Sequence, residues 1–301
     1  MNGRLRVIAL TAALVLLAVE FQTTCALDDM AYPKQICLTF DDLPVVRVHD
    51  PLERQTITDD ILFALEEHGV QAAGFVVGDN IEGDTDILYS WRASGHLLGN
   101  HTYAHSDLNE LPAKFFLEDI RKGFKTIETI LDETGQEAIY FRYPCLHYGN
   151  TSAAKEVVAR YLSDKGYTVT HVSIDTDDFA YNLKFEALYK AADSIGIIRL
   201  GNEYFDHIME RIEAAEKLAD DLIGRPIKHI LLLHANRLNA AFLDDLLTEI
   251  TACGYRFISL NEALSDPVYS IKDTYIGPKG LSILERIANS DPDLLPAAEG
   301  H

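Results

Sequence analysis

The chain has 301 residues, 48% hydrophobic and 24% charged, a globular composition that can bury a core and that excludes disordered, collagen-like and coiled-coil readings. Its 26 Lys and Arg against 47 Asp and Glu leave a formal charge of −21, which repels phosphate backbones and anionic headgroups and argues against nucleic acid as a partner. Four cysteines form neither a disulfide scaffold nor a zinc ribbon, and the length suits one large α/β domain or two ordinary ones.

Arg4 and Arg6 precede an apolar run from Val7 to Val19 and a polar stretch ending at Ala26. This is the pattern of an export signal over residues 1–26, shorter than the about 20 apolar residues of a spanning helix. A periplasmic or extracellular protein with no stable membrane insertion after cleavage is expected. From Asp28 onward, short apolar runs predict strands at Ile36 to Phe40, Gln71 to Val77, Leu97 to Asn100, Ile139 to Tyr143, Thr168 to Ile174, Ile230 to Leu233 and Arg256 to Leu260. Helical patterns lie between them at Thr56 to His68, Pro112 to Thr134, Thr151 to Lys165 and Ala240 to Cys253, each followed by Gly. Strands alternating with helices predict parallel βα units, and about seven of them favour a closed or nearly closed barrel over an open sheet. Residues 184–225 interrupt the cadence with a charged helical insertion, and the proline-marked tail 265–301 reads as an appendage or cap.

Polar residues break the apolar pattern at strand ends, where a barrel builds its sites. The first strand runs into Asp41-Asp42, two adjacent carboxylates that need a compensating cation unless they are solvated turn residues. His101 and His105 follow the third strand at a spacing that puts both imidazoles on one face of a helical turn. With Asp42 they make a three-ligand set that leaves positions open, the design of a catalytic zinc site; the bland alternative is two unrelated surface histidines. His234 ends the strand Ile230 to Leu233, as a general acid or as a core histidine. The run Asp175 to Asp178 ends another strand and could charge an imidazole or form a solvated acidic turn. Arg142, ahead of Pro144, could hold Asp41 ionised or make a surface ion pair.

In order, Thr39-Phe40-Asp41-Asp42, His101-Thr102-Tyr103-Ala104-His105, Arg142-Tyr143-Pro144, Asp175 to Phe179 and Leu232-Leu233-His234 resemble the motifs of the NodB-like polysaccharide deacetylases, carbohydrate esterase family 4. The resemblance spans roughly Lys34 to Leu264 and implies a distorted (β/α) barrel, of (β/α)7 type, as a catalytic domain over residues 27–264. It implies Asp42, His101 and His105 as ligands of a divalent metal, zinc foremost with cobalt an option. Asp41 becomes the base, His234 the acid, Arg142 the residue orienting Asp41, and Asp175 the partner of His234. The backbone N–H of Cys145 would hold the oxyanion. The implied substrate is an acylated amino-sugar polymer or oligosaccharide, with release of acetate. A deacylase of another amide, such as an amino-sugar lipid or a small cyclic amide, and a silent carbohydrate-binding member are the rivals. Leu43, Cys145, Leu146 and Phe179 depart from the family pattern in places that flank the reactive residues, so a different substrate groove is expected around intact hydrolytic chemistry.

Overall fold

Strand β1 (Lys34–Leu43) is buried along nearly its whole length, and that fixes the rest of the architecture. A parallel strand covered on both faces reads as a continuous apolar run, which is why Ile36 to Phe40 carries no polar alternation. The computed structural model describes residues 34–81 and 83–290; the expected export signal at 1–26 lies outside them.

Helix α1 (Pro51–Glu67) starts at Asp50, whose side chain accepts the Glu53 N–H, with Pro51 at the first helical position. The chain continues through β2 (Ala73–Val76), α2 (Thr85–Ala93), β3 (Leu97–Asn100), α3 (Ala113–Glu133), β4 (Ile139–Phe141), α4 (Ser152–Asp164) and β5 (Tyr167–Val169). It then forms β6 (Ile174–Asp175), α5 (Asp178–Lys190), α6 (Ser194–Ile223), β7 (Lys228–His234), α7 (Arg237–Ala252), β8 (Tyr255–Phe257), α8 (Leu260–Leu264) and α9 (Ile283–Ala288). The sheet runs β5-β4-β3-β2-β1-β7-β6, with β8 pairing the start of β1. Every one of these pairings is parallel. The sheet curls into the distorted barrel the sequence predicts, with helices outside and strand C-termini gathered at one end.

Two segments differ from expectation. The single strand expected over Thr168 to Ile174 is broken, because its two halves pair with different neighbours. β5 follows β4, whereas β6 follows β7. The link crosses from one edge of the curled sheet to the other, with the Thr170 N–H on Phe141 O and the Ser173 N–H on Ile230 O. The stretch 184–225 consists of the end of α5 and the 30-residue α6, whose Tyr204, Ile208 and Ile212 are buried.

Beyond residue 265 the chain packs across that link. The Ile283 N–H donates to Val172 O at 2.7 Å, and Ile283, Leu284 and Arg286 are fully buried. The Arg286 guanidinium lies 3.6 Å from the Tyr148 ring centroid and pairs with Asp273 at 3.2 Å, while Lys155 holds the same Asp273 at 2.5 Å.

His229, inside β7, is a buried imidazole 3.1 Å from Ser173 Oγ, and burial depresses its pKa from 6.5 to about 4. Between those values the unfolded chain binds a proton that the folded one refuses. Folding free energy is therefore lost as pH falls from about 6.5 toward 4, by on the order of 3 kcal/mol for this group. Urea unfolding of His229→Gln at pH 7 and pH 4.5 should show a smaller drop in midpoint than the parent; an identical drop would assign the acid sensitivity elsewhere.

Candidate functional site

The C-terminal ends of β1, β3, β4 and β7 deliver the polar residues to one place. Asp41 is the register partner of His234 across the β1–β7 ladder, so the two stand on neighbouring strands, about 4.8 Å apart at the backbone. Asp42 follows with a positive φ of 63°, and Thr102, His105 and Cys145 share that left-handed region at 65°, 52° and 56°. Non-glycine residues held there cost about 1–3 kcal/mol each, and such strain gathers where geometry serves chemistry.

Asp42, His101 and His105 offer ligand atoms that converge. His105 Nε2 lies 3.4 Å and His101 Nε2 3.7 Å from the same Asp42 Oδ1. Metal–ligand bonds of about 2.0–2.1 Å in a tetrahedron put ligand atoms about 3.3 Å apart, so the spacing suits a divalent ion with little movement. Two further observations fit. Asp42 Oδ1 is buried without a hydrogen-bond partner, an orphaned acceptor that a cation would satisfy. His101 Nδ1 donates to Arg142 O at 2.9 Å, which fixes the tautomer and leaves the Nε2 lone pair facing Asp42. Burial, reinforced by the neighbouring His105, holds His101 well below the usual imidazole range, in the neutral form a metal needs.

The loop bearing these histidines is seated by Asn100 and Gly123. Asn100 Nδ2 donates to Ile120 O, its Oδ1 accepts the Thr102 N–H, and a Cβ on Gly123 would stand 2.5 Å from the Thr102 carbonyl carbon. A glycine inside α3 is the sequence trace of that close approach, and sequence reasoning passed over it.

Arg142 is completely buried, which disposes of the surface ion pair. Its guanidinium reaches Asp41 Oδ1 at 3.1 Å, Thr39 Oγ1 at 3.1 Å and Thr170 O at 3.0 Å, and lies 4.3 Å from the Phe75 ring centroid. Burial lifts the Asp41 carboxyl to about 6; Arg142 and His234 pull it back and Asp42 pushes it up.

The partner of His234 is Asp178, not Asp175. His234 Nδ1 and Asp178 Oδ1 are 2.5 Å apart, and Asp178 Oδ2 accepts from the His234 N–H, Asn236 Nδ2 and Asn239 Nδ2. Asp177, left-handed at φ 52°, turns the chain so that the first residue of α5 points back at β7. Asp175 instead accepts the Asp177 N–H in that turn, while its main-chain oxygen binds Arg211. Burial alone would raise Asp178, yet His234 and the converging donors hold it below the usual carboxylate range. Against a burial effect of opposite sign, Asp178 lifts His234 to about 10, with Asp42 and Asp41 adding to the rise.

Cys145 is the middle residue of a short turn, Pro144–Leu146. A cleft of about 360 Å³ opens beside Asp42 and His105, walled by Val45, Val48, Arg54 and Asn80. Phe179, half exposed, stands edge-on to the His234 ring at 6.3 Å.

Removing Arg142 would leave a buried carboxylate without its cation, and such breakage costs about 3–5 kcal/mol. Arg142→Met should therefore lower the urea midpoint strongly, and adding Asp41→Asn should recover part of the loss. A double-mutant cycle with no coupling between the two would show the pair to be energetically idle.

The family model described as polysaccharide deacetylase matches residues 29–169. A peptidoglycan-N-acetylglucosamine deacetylase of Bacillus cereus is 30% identical over 209 residues, covering 66% of this chain and 66% of the relative. A protein of the same description from Listeria monocytogenes is 26% identical over 232 residues, covering 76% of this chain, which spans 38% of that longer relative. Among solved structures, the chitin deacetylase of Colletotrichum lindemuthianum is 25% identical with a TM-score of 0.52, covering 78% of this chain and 89% of its own.

Proposed function

The chain belongs to the polysaccharide deacetylase family, and from that premise we propose that it hydrolyses an N-acyl amide, N-acetyl foremost, on an amino sugar of a polysaccharide or oligosaccharide. The observation carrying this reading is the convergence of Asp42, His101 and His105 beside two differently tuned groups, Asp41 and His234. A divalent ion held by that trio, zinc foremost, supplies Lewis-acid polarisation of the amide carbonyl and a lowered pKa for the attacking water. Asp41, kept as a carboxylate by Arg142, accepts the proton of that water. His234, charged by Asp178, delivers a proton to the departing amine. The Cys145 N–H donates to the oxygen that gains charge. A binder without chemistry has no use for a proton acceptor and a proton donor set against one trio of ligands. Phe179 and the valine-walled cleft border the acylated sugar. The signal-like residues 1–26 support export, and among the described residues no helix is long and apolar enough to cross a membrane.

Chelation should abolish acetate release from chitooligosaccharides or peptidoglycan fragments, and zinc or cobalt should restore it; turnover in metal-free protein would overturn the reading. Asp41→Asn should lose about 10²–10⁴ in kcat while keeping its metal, whereas His101→Ala should lose both. Asp178→Asn should cost far more in kcat than Asp175→Asn, and the reverse order would return His234 to the partner that sequence suggests.

A further inference from the structure

Beside the trio, a second set of side chains with metal-ligating atoms converges, sharing only the loop after β3 with the first. Asp107 lies within the loop after β3, and Cys145 and His147 lie in the loop after β4. Each offers one ligand atom, all within 4.8 Å of one another. Asp107 is held in place: its Oδ1 accepts the Asn109 N–H at 2.7 Å, and its Oδ2 meets His147 Nδ1 at 2.8 Å. The pair is largely buried, with side-chain exposures of 18% and 19%, while Cys145 stands on the open side. The tail fixes that turn as well, since a Cβ on Gly280 would meet Cys145 O at 2.0 Å.

We propose that Asp107, Cys145 and His147 form a second cation site, one that takes a thiophilic divalent ion such as zinc or cadmium and is separate from the Asp42, His101 and His105 site. Metal–sulfur bonds of about 2.3 Å and metal–nitrogen or metal–oxygen bonds of about 2.0–2.1 Å require ligand atoms closer than they now stand, and rotation of the exposed Cys145 side chain supplies the approach. Binding at His147 Nδ1 replaces its hydrogen bond to Asp107, the ring proton moving to Nε2, and the thiol proton passes to solvent. The electrostatics favour a cation. The carboxylates of Asp107, Asp42, Glu110 and Asp41 surround the Cys145 sulfur with negative charge, a field that a bound cation offsets. Hard ions such as magnesium gain nothing from a thiolate, which sets the class of occupant. Three protein ligands leave a fourth position open.

Titration of the whole protein with cadmium, read by the ultraviolet thiolate-to-cadmium band and by bound-metal analysis, tests the site. The parent should take up a second equivalent together with the band. Cys145→Ser should lose the band and that equivalent while keeping the first. His147→Ala and Asp107→Asn should each weaken the banded phase at least tenfold. Asp42→Ala should lose the other equivalent and keep the band, so failure of the deacetylase reading would leave this result untouched. No band at saturating cadmium, or a band whose midpoint is unmoved by His147→Ala and Asp107→Asn, would overturn the proposal. Loss of the band in Asp42→Ala would equally overturn a separate site.

Discussion

Arg142 ties the site together. Its guanidinium leaves the end of β4 and reaches Thr39 and Asp41 at the end of β1, although two strands stand between β4 and β1 in the sheet order. That reach exists only because the sheet curls, so the ion pair and the barrel curvature require each other. The same residue orients the His101 imidazole through its main chain, since its carbonyl accepts the His101 Nδ1 proton. One buried residue therefore fixes both the carboxylate beside the trio and the tautomer within it. A fully buried guanidinium is tolerable because three acceptors and an aromatic face surround it.

Asp41 and Asp178 show how one chemical group is tuned in opposite directions. Both are deeply buried carboxylates with a cationic neighbour. Asp178 also collects one backbone and two amide donors, and these stabilise its charge enough to overcome desolvation. Asp41 has Arg142 but also Asp42 next to it, and desolvation prevails. On the proposed reading this divergence separates the roles: Asp41 has some affinity for a proton, whereas Asp178 has none to spare and serves to charge His234.

What was legible in the sequence was whatever a parallel barrel writes into local pattern. Apolar runs gave the strands, and polar residues at their ends gave Asp41, Asp42, His101, His105 and His234, because a strand terminus is the one place where a buried element meets the cleft. The break within Thr168 to Ile174 was not legible, since both halves are equally apolar and the cause is a change of partner, from β4 to β7. The choice between Asp175 and Asp178 was hidden for a related reason. Both sit in one acidic run, and a left-handed Asp177 decides which side chain faces β7. The paired Asn236 and Asn239, opening α7 beside His234, were the available signal, because their amides need a buried acceptor and Asp178 is the one they find.

The tail gives the loops a common backing. Ile283 binds the link between β5 and β6, Arg286 stacks on Tyr148, and Gly280 lies against the Cys145 carbonyl, so the turn after β4 is clamped from outside the barrel as Arg142 clamps it from within. Cys145 and Leu146, both at positive φ, can hold that conformation because contacts on two sides over-determine it. Where the backbone is fixed this firmly, its N–H groups keep their aim whatever side chain the position carries. A thiol at 145 is then compatible with the proposed main-chain role toward substrate, and its exposed sulfur is left free for other chemistry.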